Sequence, residues 1–222
     1  MIKKISLLLF SFCFIFLSCK IEIGRAPITY IPQEVKTFFN FKAGSYWVFQ
    51  DSISGNEYTH ECSDIKNDSF VYINDYYKAA YEQLQFFWEV PYPYSSYPAF
   101  NGLTISTEPA HVIDGVFQIN TFGKYYGEGG YSFNQSLYMV YPFVVGNHFI
   151  NDNADTVIIS DVLDHYTINS FTFDTVVVSD VLYNHNNNSR NMRYYTAKGK
   201  GIIQFKALND TTNYKVVDYH VE

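Results

Sequence analysis

Cations, cysteines and any catalytic signature are what this 222-residue chain has least of, with 15 Lys and Arg against 22 Asp and Glu and only three Cys. Each shortage excludes a class. Binding a phosphate backbone needs a basic patch, and Lys198 and Lys200 are the closest approach to one, so no nucleic-acid partner is expected. Zinc needs ligands at short fixed spacings. His60, His111, His148, His165, His185 and His220 stand apart from one another, and there is no HExxH, so no metal or cofactor is expected. Neither Ser45 nor Ser132 has the glycine-flanked elbow of a nucleophilic serine. Carboxylate pairs such as Asp161 and Asp164 are no more than any acidic β-protein offers. The expectation is a protein that is not an enzyme.

One apolar run is present, from Ile5 to Leu17, preceded by Lys3 and Lys4 and followed by Ser18, Cys19 and Lys20. Two positive charges, about a dozen apolar residues and a small residue before a cut are the three parts of a signal peptide, and the run is too short to span a bilayer. Phe16, Leu17, Ser18 and Cys19 resemble the lipobox of bacterial lipoproteins, in the relaxed form of Bacteroidetes-type members. Rival cuts are worse, because Cys13 follows bulky Phe12 and a cut after Ala26 meets Pro27. The resemblance implies cleavage before Cys19, a diacylglycerol on its thiol and an acyl chain on its freed amine, hence membrane attachment through lipid. Lys20 is unlike the aspartate that retains some lipoproteins in the inner membrane. The expected location is therefore the cell envelope, at the outer membrane, facing either periplasm or medium.

Removing residues 1–18, with Lys3 and Lys4, moves the formal charge from −7 to −9 and leaves Cys62 as the single unmodified cysteine. No internal disulfide is then available, so stability rests on a core. The 21 Tyr and 20 Phe indicate its kind, since aromatic residues favour strands. Residues 19–36 carry Pro27 and Pro32 without a clear period and read as a tether, followed by a β-rich domain over 37–222.

Strands are expected at Tyr46–Ser52, Glu57–Ser63, Phe70–Ile73, Leu103–Thr107, Val116–Phe122, Leu137–Tyr141, Asp155–Val162, His165–Phe171, Phe173–Ser179, Tyr194–Thr196, Gly201–Lys206 and Asn213–Val221. Tyr81–Val90 fits a helical stripe or, through Leu84, Phe86, Trp88 and Val90, a strand, and its aromatic content favours the strand. The fold expected is all-β, an antiparallel sandwich or half-barrel to barrel of roughly a dozen strands. One internal echo suggests two related halves: Phe39 to Trp47 aligns with Tyr141 to Phe149, each with a glycine ahead of an aromatic pair. With Ala197 to Ile203, this opening resembles a group of uncharacterised Bacteroidetes-type lipoproteins, a likeness that implies location and no activity.

Three surfaces stand out. The first runs from Pro91 to Phe100, where prolines stiffen a loop displaying Tyr92, Tyr94, Tyr97 and Phe100 with Trp88 nearby, rings that stack on sugars or fill partner pockets. The second, Asn151, Asp152, Asn153 and Asp155, has oxygen ligands for Ca²⁺ but Thr156 and Val162 at the EF-hand glycine and glutamate positions, so a polar turn is favoured. The third is a set of triplets, Asp51-Ser52-Ile53, Asp155-Thr156-Val157, Asp174-Thr175-Val176 and Asp210-Thr211-Thr212. They match the aspartate, hydroxyl, methyl pattern at which bacteria of the resembled group O-glycosylate exported proteins, so Ser52, Thr156, Thr175 and Thr211 are candidate acceptors. Aspartate turns before β-branched strand starts produce the same letters. The functional expectation is a non-catalytic envelope lipoprotein that binds a protein or glycan partner through aromatics. Its alternatives are a hydrophobic-ligand carrier and an envelope hydrolase.

Overall fold

Alternation sets the strands, as in β2 (Tyr46–Asp51), where Trp47 and Phe49 are buried and their neighbours half-buried. The computed structural model describes residues 28–73, 78–89, 102–107, 112–113, 116–127, 130–151, 155–184 and 191–222. The expected signal segment, Cys19 and residues 20–27 lie outside them. β1 (Ile28–Thr29), α1 (Gln33–Phe38) and β2 are followed by β3 (Glu57–Ile73), β4 (Lys78–Glu89), β5 (Gly102–Ser106), β6 (Val112–Ile113), β7 (Val116–Gly127) and β8 (Gly130–Tyr141). A second series comprises β9 (His148–Ile150), β10 (Thr156–Ile168), β11 (Phe171–Leu182), β12 (Met192–Ala197), β13 (Gly201–Ala207) and β14 (Asn213–His220).

The sheet is all-β and antiparallel, a nearly closed barrel of 12 strands. Its order is β8-β7-β5-β4-β3-β2-β14-β13-β12-β11-β10-β9, with β6 beside β7 and β1 added in parallel to β4. The margins meet through side chains: β8 lies against β10 and β11, and Ser179 Oγ donates to the Tyr138 carbonyl at 2.8 Å. Of the expected Tyr81–Val90 segment, residues 81–89 belong to strand Lys78–Glu89, with Phe86 and Trp88 buried on its inner face, and Val90 lies outside the described residues.

Several strand boundaries differ from expectation: β7 and β8 extend to Gly127 and back to Gly130, and β9 (His148–Ile150) is not among the strands expected. Glu57–Ser63 and Phe70–Ile73 are one strand, because the polar stretch between them continues to pair with β4. The segments from Asp155 to Ser179 form two strands, not three, and turn at Asn169 and Ser170. Asn169 takes φ +53, a left-handed conformation that asparagine tolerates.

The halves correspond closely. Gly44 (φ +92) and Gly146 (φ +86) make the same turn. Gly44 N donates to Cys62 O and Cys62 N to Ser45 O, while Gly146 N donates to Ile159 O and Ile159 N to Asn147 O, all at 2.8–2.9 Å. One residue later each strand bulges, at Ser63 and at Ser160, before Asp64 and Asp161. Both serines reach the neighbouring strand, Ser63 Oγ to Phe87 O and Ser160 Oγ to Val178 O. A bulge sharpens strand twist and pins register, so two at matching places curl both halves alike.

Residues 28–36 are folded rather than part of a tether, which corrects the expected 19–36 boundary. Ile31 and Val35 are buried with Phe38, Phe39 and Phe41 in the core. Their spacing puts one apolar face of α1 over the barrel mouth, where Phe38 meets Phe143 and Phe38 O accepts from Gly199 N. Glu82, 5% exposed, secures this cap by accepting from Ile31 N at 2.9 Å and Lys36 Nζ at 2.7 Å. The mouth under α1 is called the cap end and the opposite mouth the loop end. Since β2 leaves the cap end and the strands alternate in direction, Ile73, Lys78, residues 142–147 and residues 198–200 lie at the cap end. Residues 52–56, Glu89, Gly102 and residues 208–212 lie at the loop end.

Candidate functional site

Inward-facing residues of β2, β3 and β4 build an aromatic interior. Phe41 packs edge-on to Trp47 at 4.9 Å between centroids and against Phe86 at 4.5 Å, Trp47 meets Trp88 edge-on at 6.3 Å, and His60 meets Phe49 at 5.2 Å. Trp47 Nε1 donates to Lys200 O at 2.7 Å, tying this cluster to the β12–β13 turn. Among these rings lies a cavity of about 10 Å³, bordered by Phe39, Phe41, Trp47, Phe49, His60 and Trp88. That is room for about one water molecule, not for an acyl chain.

Trp88 is thus 8% exposed and part of the core, which corrects its expected place on a displayed aromatic surface. Its position in the strand explains this, because Phe86 and Trp88 share the face that looks inward. Tyr92, Tyr94, Tyr97 and Phe100 lie outside the described residues. The segment that holds them leaves β4 at Glu89 and rejoins β5 at Gly102, both at the loop end.

The reactive side chains of the interior are held neutral. Burial pushes the His60 imidazole down to about 3 and the Cys62 thiol up to about 11. Tyr138 and Tyr194 are raised for the same reason, and Tyr138 shares a short hydrogen bond with Thr196. A neutral imidazole that resists protonation makes a poor acid, and a thiol near 11 a poor nucleophile.

No family model, curated protein or solved structure matches this chain. The surface chemistry therefore has to be read from the chain itself. Asp155 N donates to Asn151 Oδ1 at 2.9 Å and Asn184 N to Asp155 Oδ1 at 3.0 Å, so the oxygens considered for calcium cap a turn. Asp152 and Asn153 lie outside the described residues. Among the described residues no group of three or more His, Cys, Asp or Glu is placed to hold a metal.

The four triplets considered as acceptors for sugar occupy unlike settings. Ser52 and Thr211 are exposed in loop-end turns, where Asp51 accepts from Ile53 N and Asp210 from Thr212 N. Thr156 is half-buried at the start of β10, also at the loop end. Thr175 is half-buried inside β11 at φ +55, an unusual conformation for a β-branched residue. Asp161 binds its own strand through Val162 N, and Asp174 binds His165 Nδ1 at 2.7 Å on the surface.

Sequence reading missed the pairs that brace the scaffold. Besides Glu82 with Lys36, Arg193 grips Asp180 through Nε and Nη2 at 2.6 and 2.7 Å. This bidentate contact raises the guanidinium pKa further. Asp180 and Arg193 are 13 residues apart and meet only because β11 pairs with β12, so nothing local announced them.

Proposed function

We propose that this protein is a non-catalytic, lipid-anchored envelope module that binds a protein or glycan partner at the loop end of its barrel, with Tyr92, Tyr94, Tyr97 and Phe100 as the contact aromatics. The observation that carries this reading is the packing of rings inside the barrel at β2, β3 and β4, where the space among Trp47, His60 and Trp88 is about 10 Å³ and takes no ligand, which favours recognition at the surface. Loop segments on a rigid β-scaffold are the usual place for it. At that place there is no room for the carrier alternative, which needs roughly several hundred cubic ångströms.

The chain's two ends fit this division. Cys19 precedes Ile28 by nine residues, a reach of at most about 30 Å, so lipid on Cys19 would hold the cap end near the membrane and leave the loop end outward.

The test is alanine at Tyr92, Tyr94, Tyr97 and Phe100 together, read on a glycan array and by affinity capture from envelope extracts. Loss of the captured partner is expected with melting unchanged, and an unaltered profile rejects the surface. Intact mass of protein from the native host reads the anchor and the triplets in one measurement. A species starting at Cys19 with acyl chains is expected, and hexose increments would assign sugar to the Ser52, Thr156, Thr175 and Thr211 set.

A further inference from the structure

The exposed large hydrophobic residues are unevenly placed. Of those on described residues, Ile28, Tyr30, Phe70, Val71, Val144 and Val145 are at the cap end, and Ile53, Ile150 and Leu182 are at the loop end. Val71, Ala80 and Ile28 form one cross-strand row through β3, β4 and β1, and Phe70 stacks on Tyr81 at 5.5 Å in the next. Beyond Cys62, β3 pairs with β4 and no longer with β2, so the hairpin runs past β2 and exposes Val71 on one face and Phe70 on the other, 57% and 39%. Val144 and Val145, 61% and 58% exposed, sit in the Gly146 turn at the same mouth. A concentration of exposed apolar side chains at one mouth marks a contact surface.

From these positions we infer that the cap end is a membrane-seating surface, with Ile28, Tyr30, Phe70, Val71, Val144 and Val145 entering the interfacial layer of a lipid bilayer. The inference rests on the proposal that Cys19 bears lipid. What selects a bilayer over another occupant is the sequence distance to the proposed anchor: Ile28, a member of the patch, is nine residues from Cys19, so lipid there is at most about 30 Å away. Charge permits it. Among the described residues the cap end and its hairpin present Lys42, Lys66, Lys198 and Lys200 beside Glu34, Glu61, Asp64, Asp68 and Glu222, a mixed surface in which lysines are available to anionic headgroups. Tyr30, 63% exposed, has the apolar body and polar tip that suit the headgroup boundary. Seated this way, the barrel is oriented and not merely tethered, and the loop end is held away from the lipid.

The test uses the mature lipidated chain in vesicles of phosphatidylethanolamine with minor phosphatidylglycerol, doped with brominated lipid. Val71→Trp and Val144→Trp report on the cap end, and Ile53→Trp and Leu182→Trp on the loop end. The native Trp47 and Trp88 are buried and give a constant background. Shallow insertion predicts a blue shift and roughly twofold quenching of both cap-end reporters, with the loop-end pair unaffected. Equal signals from the two ends overturn the seating. So does a blue shift of the cap-end reporters without vesicles that grows with protein concentration, which would assign the patch to a second copy. A parallel arm holds a chain with a hexahistidine tag before Lys20 on nickel-chelating lipid. If intact mass finds no acyl chains, the anchor proposal fails, and this arm still reads the seating surface directly.

Discussion

The two halves of the barrel share a frame and differ in what fills it. Register pairs Trp47 with His60 in the first half and Phe149 with Val157 in the second, at matching distances from Gly44 and Gly146. Following the same correspondence, Cys62 matches Ile159, Trp88 matches Ser179 and Glu82 matches Phe173. Within β2, β3 and β4 the filling is Trp47, Phe49, Phe86 and Trp88 with buried His60 and Glu82, whereas within β9, β10 and β11 it is mainly Val157, Ile159, Val176, Val177 and Val181 beside Phe149 and Phe173. The lesson is that turns and bulges set the curvature, whereas the filling is free to diverge as long as volume is met. The small cavity lies beside the rings of β2, β3 and β4 and is closed on its other side by Gly201 and Ile202 of β13.

The sharpest break of this comparison is Trp47→Ala against Phe149→Ala. Trp47→Ala should cost about 4 kcal/mol, losing a buried ring and leaving the Lys200 carbonyl without its donor, with Phe149→Ala lower at about 3 kcal/mol. Urea unfolding measures both, and equal or reversed costs would show that the aromatic half does not dominate the core.

Next is Glu82, whose counterpart Phe173 packs with Phe171 and Tyr219. Glu82→Gln should cost about 2 kcal/mol by weakening charge-assisted bonds to Ile31 N and Lys36. Hydrogen exchange should then quicken in α1 before the barrel strands, and uniform acceleration would mean that the cap and the barrel unfold as one.

His60 gives the halves different pH responses. Its folded pKa, about 3, is below the unfolded value near 6.5, so the unfolded state binds the proton more readily between those values. Stability should fall as pH is lowered from about 6.5 toward 3, by at most about 1.4 kcal/mol per unit, with no contribution from this group above about pH 7. His60→Val installs the residue found at the corresponding place in the second half. Comparing the two proteins at pH 5 to 7 by thermal unfolding should show a shallower slope in the variant, and parallel curves would place the proton elsewhere.

The smallest effect tests likeness. Gly44→Ala and Gly146→Ala force a Cβ into left-handed backbone and should each cost about 1 kcal/mol. A Cβ at Gly146 meets nothing within 4 Å and one at Gly44 only Glu222 Cγ at 3.8 Å, so backbone strain decides both. Unequal costs would undo the equivalence of the two turns.

Much of the frame was legible before the structure. The alternation of Leu84, Phe86 and Trp88 gave β4, and the echo around Gly44 and Gly146 gave the halves, because each is written in neighbouring residues. The fold of 28–36 was not legible: Pro27 and Pro32 looked like a tether, and only Glu82, some fifty residues on, turns that segment into a cap. The Asn169 turn was missed because an Asn-Ser pair is a weaker turn signal than Asn-Gly. For the candidate surface, an aromatic's type was visible but its facing was not, and Trp88 shows the difference.

By itself the sequence determined the β-class, the strand content, the repeated glycine turns and the scarcity of cysteine that leaves stability to a core. These depend on composition and on short-range periodicity, which act over a few residues. Only the tertiary structure decided that the sheet curls into a barrel, that its interior is filled with rings around His60, and that Ile28, Phe70, Val71 and Val144 gather at one mouth. Those outcomes depend on register between strands far apart in the chain, and register is fixed when bulges, turns and burial are satisfied together.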